Sequence, residues 1–219
     1  MNKLRLQFEK TGRAAYISHL DLMRTMQRAF LRAGLPLKYS EGFNPHAQIS
    51  MLLPLSLGHE SLCELMDFSV SADCDAGAMA QQLTAALPEG IRVLRVYEPT
   101  RRGRELRWLR VRGRLVYDAR CGDGTADALN AFFAQDSLVI HRRTKRGEGE
   151  SDIRPAIREL SAAPAPEGIA LDAVVSAQEP TLNPELLVSA LQQLRPELAP
   201  DFAHFTRIGV YDAEMQPFE

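Results

Sequence analysis

The chain has 219 residues, 45% of them apolar and 25% charged. That balance supports one large or two small hydrophobic cores and excludes a disordered, collagenous or coiled-coil protein. Net charge is −2, but it is unevenly spread: residues 1–50 and 101–150 each carry +5, residues 51–100 carry −5, and residues 151–219 carry −7. Such blocks read either as a basic and an acidic face or as ordinary fluctuation along a solvated surface. No apolar run approaches the roughly 20 residues that span a bilayer. The first ten residues, MNKLRLQFEK, alternate charge with hydrophobe, so neither a signal peptide nor a membrane segment is expected, and the expected location is the cytoplasm. Cys63, Cys74 and Cys121 lack the spacing of a disulfide framework or a metal knuckle and read as small hydrophobes.

Residues 3–10 alternate Leu4, Leu6 and Phe8 with Lys3, Arg5, Gln7 and Glu9, which predicts a half-buried strand with the polar side chains outward. After a turn at Thr11 and Gly12, Ser18 followed three residues later by Asp21 marks a helix start. The serine caps free amides and the acid sits in the positive first turn. The helix is predicted over 19–33, with Gly34 and Pro36 as its stop. Residues 37–40 and 48–53 read as two strands around a structured loop, Glu41-Gly42-Phe43-Asn44-Pro45-His46. A strand over 64–70, a helix over 76–87 and a strand over 91–97 complete the order βαββαβ, that of a ferredoxin-like split unit.

An arginine-rich segment, 100–105, leads to a second part that repeats the plan. A strand is predicted over 106–117, a helix over 125–134 with Asp123 as its cap, and a strand over 138–143. Two further strands, 153–160 and 169–177, flank a Pro/Ala-rich turn. Asn183-Pro184 opens a helix, and a strand over 202–211 closes the unit. The expected fold class is α+β: tandem ferredoxin-like (βαββαβ) units with antiparallel sheets, the first over 1–98 and the second over 105–219.

The densest polar cluster joins Tyr16, Ser18, His19 and Asp21 to Ser40, Phe43, Asn44 and His46. In a βαββαβ unit the first two strands run the same way, so the loops after them share one end of the sheet. His19 and His46, with Tyr16, Ser40 and Asn44, are therefore expected to converge on one rim, to bind a ligand or exchange protons. The plainer reading is a helix cap and turn chemistry. Arg24, Arg28 and Arg32 recur every four residues and share a helix face, suited to phosphates, an acidic protein surface or simple solvation.

Arg107, Arg110, Arg112 and Arg114 dominate the strand that opens the second unit, with Trp108 on the arginine side. An aromatic among cations suits nucleic-acid backbone contact with stacking; an edge strand protected by its charges is the alternative. A third basic run, His141-Arg142-Arg143-Thr144-Lys145-Arg146, is expected to be a mobile loop that contacts phosphate. It leads to Asp152 and Arg154, which read as binding residues or as a local ion pair beside Pro155. No phosphate loop, dinucleotide fingerprint, HExxH or GxSxG motif occurs. His59 and Cys63 have no second pair to complete a zinc site, and no metal or cofactor is expected.

The stretch from Phe8 to Ser61, with ISHLDLMR and YSEGFNPH inside it, and the stretch SDIRPAIREL from Ser151 to Leu160 resemble the radical-SAM-linked protein family. That family is a domain of unknown function found beside, or fused behind, a radical SAM protein with a cobalamin-binding region. Its characteristic positions here are Ser18, His19, Leu20, Asp21, Arg24, Gly42, Phe43, Asn44, Pro45, His46, Asp152, Arg154 and Pro155. The resemblance implies association with such a radical SAM protein in trans. The chain lacks the CxxxCxxC triad that holds a radical SAM iron–sulfur cluster. The expected function is thus a non-catalytic accessory module that recognises tRNA or rRNA for a radical SAM partner. Arg24, Arg28, Arg107, Arg110, Arg112, Lys145 and Arg146 would contact phosphates, Trp108 and Phe43 would stack, and His19 and His46 would orient a nucleotide. Two alternatives stand beside it: a metal-independent ribonuclease with His19 and His46 as base and acid, and a protein-only adaptor for the radical SAM partner.

Overall fold

A computed structural model describes residues 3–71, 75–118, 122–144 and 147–218. The chain divides into two compact units, Met1–Glu105 with Phe218–Glu219, and Leu106–Pro217. Both mix α-helices with antiparallel sheet. No helix among the described residues is long and apolar enough to cross a membrane.

In the first unit β1 (Lys3–Lys10), α1 (His19–Arg32), β2 (Ile49–Met51), β3 (Glu60–Ser69), α2 (Ala76–Ala86) and β4 (Ile91–Tyr97) follow in chain order. The strands lie β4-β1-β3-β2, each neighbouring pair antiparallel. Leu4, Leu6 and Phe8 from β1 and Met66 and Phe68 from β3 form a core with Leu22, Met26 and Phe30 of α1 and Met79 and Leu83 of α2. Ser18 starts α1 by accepting a hydrogen bond from the Asp21 amide, and Gly34, at φ +69°, ends it. Residues 37–40 form isolated bridges at Leu37 and Tyr39 in place of the predicted strand.

The prediction that Arg5 points to water is corrected. Arg5 is 0% exposed; its Nε donates to Asp67 Oδ1 at 2.6 Å and its Nη2 to Asp67 Oδ2 at 3.2 Å. Nη2 also reaches the Arg101 carbonyl at 3.1 Å, and the Phe218 ring lies 5.4 Å from the guanidinium. Alternation shows that a strand has two faces, but not that the polar one meets solvent. Here the segment after β4 and the end of the chain cover it.

In the second unit β5 (Trp108–Val116), α3 (Thr125–Phe133), β6 (Val139–Thr144), β7 (Gly147–Asp152), β8 (Ile157–Ala165), β9 (Gly168–Ser176), α4 (Glu185–Leu194) and β10 (Phe202–Tyr211) follow in order. The main strands lie β10-β5-β9-β8, all antiparallel. β6 and β7 form a separate hairpin inserted between α3 and β8. The predicted mobile loop is therefore corrected to paired backbone, from Val139 opposite Asp152 to Thr144 opposite Gly147. The residues of β7, GEGESD, carry no apolar alternation, so only the pairing with β6 reveals the strand. Asp123 does not cap α3; Gly124, at φ +92°, occupies that place, and the Thr125 hydroxyl donates to the Gly122 carbonyl.

On β5, Leu109, Val111 and Leu115 are buried while Arg110, Arg112 and Arg114 are exposed. The Phe205 ring of β10 fills the space beside Gly113, where a Cβ would sit 2.9 Å from Cε1. The Asn130 side chain of α3 bonds both the amide and the carbonyl of Ala162 on β8, at 2.8 and 2.9 Å. It thereby satisfies part of the open edge that β8 presents.

Candidate nucleic-acid interface

His19 and His46, two of the three histidines of the first unit, do not converge. Lys10 pairs with Ser61 at one end of the sheet and Lys3 with Ser69 at the other. His19 opens α1 just after the chain leaves β1 at the Lys10 end. The loop containing His46 hangs from the Ser69 end, where the Lys38 amide donates to the Ser69 carbonyl at 2.8 Å and the Ser69 amide donates to the Gln48 carbonyl at 3.1 Å. The length of β3 between these ends is about 25 Å, too far for two imidazoles to act on one substrate. The reason is topological: the GFNPH loop precedes β2 instead of following a strand that runs with β1, so Tyr16 and His19 stand apart from Ser40, Asn44 and His46.

Several motif residues have internal work. The Ser18 hydroxyl donates to Asp21 Oδ2 at 2.8 Å, and Arg24 Nη1 donates to Asp21 Oδ1 at 3.0 Å. The Ser18 hydroxyl first and Arg24 second hold the Asp21 carboxyl below its ordinary pKa. Ser40 closes its loop, its Oγ accepting from the His46 amide at 2.9 Å and its own amide donating to the His46 carbonyl at 2.8 Å. At the tip Phe43 is fully exposed, and Tyr16, His19, Asn44 and His46 are exposed as well. Arg28 lines a shallow cleft with Thr25 and Arg32, and Arg32 Nη2 donates to the Ala86 carbonyl at the end of α2.

Asp152 and Arg154 brace the base of the β6–β7 hairpin. Asp152 accepts from the Leu138 amide at 2.8 Å, the Arg154 amide at 2.9 Å and the Ser137 hydroxyl at 2.9 Å. These bonds, the Leu138 amide foremost, hold its pKa below the ordinary carboxylate value. Arg154 donates from Nε to the Gln135 carbonyl and from Nη1 to the Ile157 carbonyl, at 3.0 and 2.6 Å. Backbone groups thus engage both side chains, and the charge of Arg154 adds to the lowering of the Asp152 pKa. Asp152→Ala is expected to lower stability by about 1 kcal/mol, the usual worth of a side chain that caps free amides, and urea denaturation checks it.

The hairpin is fastened to α4: the His141 amide donates to Gln193 Oε1 at 2.8 Å, and Gln193 Nε2 donates to the His141 carbonyl at 3.0 Å. Lys145 and Arg146 lie outside the described residues.

The outer face of β5 carries a row of three exposed arginines, Arg110, Arg112 and Arg114. Arg110 and Arg112 both reach Asp172 of β9, at 2.8 and 3.8 Å, and Arg114 pairs with Glu167 in the β8–β9 turn. Arg112, with the longest of the two Asp172 contacts, has a side chain 70% exposed. Exposed ion pairs of this kind are worth about 0–1 kcal/mol, so a polyanion can replace these carboxylates at small cost. Arg107 is paired with Glu179 at 3.5 Å. Trp108 shares the arginine face, but the Arg158 guanidinium lies 5.3 Å from its ring centre. The indole therefore holds another cation instead of presenting a bare ring.

Sequence reasoning missed the neighbours that β10 brings to this face: Phe202 opposite Val116, His204 opposite Arg114 and Tyr211 opposite Trp108. The alternation of Phe202 and His204 with buried Phe205 was a usable signal, but only the register placed them beside the arginines.

A crystal structure of an unknown protein from Galdieria sulphuraria is similar at 13% sequence identity and a TM-score of 0.29, covering 94% of this chain and 98% of that one. None of the curated proteins matches the chain. A bacterial family profile matches residues 3–184, a span that takes in both motif regions and the arginine strand. The protein belongs to that family, described as uncharacterized protein conserved in bacteria (DUF2344).

Proposed function

We propose that this protein is a cytoplasmic accessory module that binds RNA, tRNA or rRNA, through the second unit and presents it to a separate radical SAM enzyme with a cobalamin-binding region. Both units are read as ferredoxin-like: the first has the order βαββαβ, and the second has the same order once the β6–β7 hairpin is set aside as an insertion. The radical SAM partner rests on the ISHLDLMR, YSEGFNPH and SDIRP resemblance.

The RNA reading is carried by one observation: three arginines at alternating, solvent-exposed positions of a central strand. Alternate residues of a strand stand roughly 6.7 Å apart, so the row offers a regular series of phosphate contacts. Neutralising phosphates releases counterions and makes the affinity fall with salt. The ribonuclease alternative is not favoured, because His19 and His46 stand at opposite ends of their sheet.

In a fluorescence-anisotropy titration with bulk tRNA at about 150 mM salt, the wild type should bind saturably. Arg110→Glu/Arg112→Glu should weaken binding by at least about 30-fold and reduce the salt slope by about two. Unchanged affinity in that variant overturns the reading.

A further inference from the structure

We infer that the β5 face takes single-stranded rather than double-stranded RNA, with the arginines on its backbone and Phe202, His204 and Tyr211 stacking on unpaired bases. This deepens the RNA reading above and rests on it. At one end of the arginine row, His204 stands opposite Arg114 and Phe202 opposite Val116. Their rings are 5.6 Å apart and tilted by 57°, and Phe202 is 56% exposed.

At the other end, a bulge between Arg207 and Gly209 resets the alternation of β10 and returns Tyr211 to the arginine face, opposite Trp108. The Tyr211 phenol lies over Gly209, where a Cβ would fall 2.5 Å from its hydroxyl, and Gly209 is the residue opposite Arg110. The face therefore reads, end to end, aromatic, three arginines, aromatic, over about 27 Å of strand. That length suits a short extended run of nucleotides, on the order of four.

The aromatics decide the ligand class. In a duplex every base is paired and stacked on its neighbours, so its face is closed to a protein ring. Only an unpaired base can be splayed onto Phe, Tyr or His. A duplex could meet the arginines through its backbone but would leave Phe202 and His204 without a partner. Asp172 and Glu167, which line the row, are the groups that the phosphates displace from the arginines.

The test uses the full chain and one unstructured RNA of about 12 nucleotides, alone or annealed to its complement, by fluorescence anisotropy at about 150 mM salt. The single strand should bind at least tenfold more tightly than the duplex. Phe202→Ala, a truncation of an exposed side chain, should weaken single-strand binding about tenfold and leave duplex binding unchanged, with an unaltered melting temperature. Duplex binding equal to or tighter than single-strand binding overturns this inference and leaves the RNA reading standing. So does a Phe202→Ala variant with wild-type affinity when Arg112→Gln weakens binding. Absence of binding to either RNA overturns both.

Discussion

Asp67→Ala is expected to destabilise the first unit by about 3–5 kcal/mol, the cost of leaving a buried charge without its partner. Arg5 has no exposed surface, and Asp67 receives both its Nε and its Nη2. Lys3 adds a third contact to the same carboxylate at 2.9 Å. Truncation leaves the Arg5 guanidinium buried with a backbone carbonyl and the Phe218 ring as its neighbours. The double variant Arg5→Met/Asp67→Leu should recover most of the loss, because removing both charges removes the desolvation penalty with the attraction.

The pH dependence follows the same pair. Burial opposes ionisation of Asp67, but hydrogen bonds and charge from Arg5 and Lys3 outweigh it, so its folded pKa lies below the ordinary value. A depressed carboxyl pKa contributes stability above the unfolded value of about 3.9, and that stability is lost as pH falls through the folded pKa. Urea denaturation between about pH 2.5 and pH 6 should show a steep acid limb in the wild type and a shallower one in the double variant. Equal limbs would show that Asp67 is not a source of the acid sensitivity.

Gly168→Ala is expected to cost about 3 kcal/mol, from backbone strain and overpacking together. Gly168 follows the two-residue turn of Pro166 and Glu167 that joins β8 to β9. Its φ is +117°, and a Cβ there would fall 2.1 Å from the Leu115 carbonyl oxygen. The obstacle is the backbone of the arginine strand, which cannot swing aside. Gly149 in the β6–β7 hairpin is the control: it has ordinary φ and nothing within 4 Å of its Cβ position, so Gly149→Ala should stay within about 0.5 kcal/mol of wild type. Thermal melts of the two variants decide the matter, and equal losses would refute the steric account.

Much of the local structure was legible from the residues alone. The bounds of β1, β4 and β10 coincide with the predicted 3–10, 91–97 and 202–211, and α1 differs from the prediction by one residue at its end. Those signals are local: period-two alternation, a serine that caps its own helix, a glycine that takes the left-handed turn after it. The parity of Arg110, Arg112 and Arg114 was likewise enough to put them on one face of β5.

Tertiary structure decided what neighbours each face meets. It buried Arg5 by covering the polar side of β1, and it separated His19 from His46 by placing the GFNPH loop before β2. It made a strand of GEGESD by pairing it with β6, and it turned Asp152 and Arg154 into braces of that hairpin. It also brought Phe202, His204 and Tyr211 of β10 to the arginine strand from about ninety residues away in the chain. Periodicity and capping are properties of a few consecutive residues, whereas solvent access, register and the end of a sheet at which a loop emerges depend on pairings between distant segments. The chain by itself determined its elements and the side of the strand on which its arginines lie; only the folded sheet determined what stands beside them.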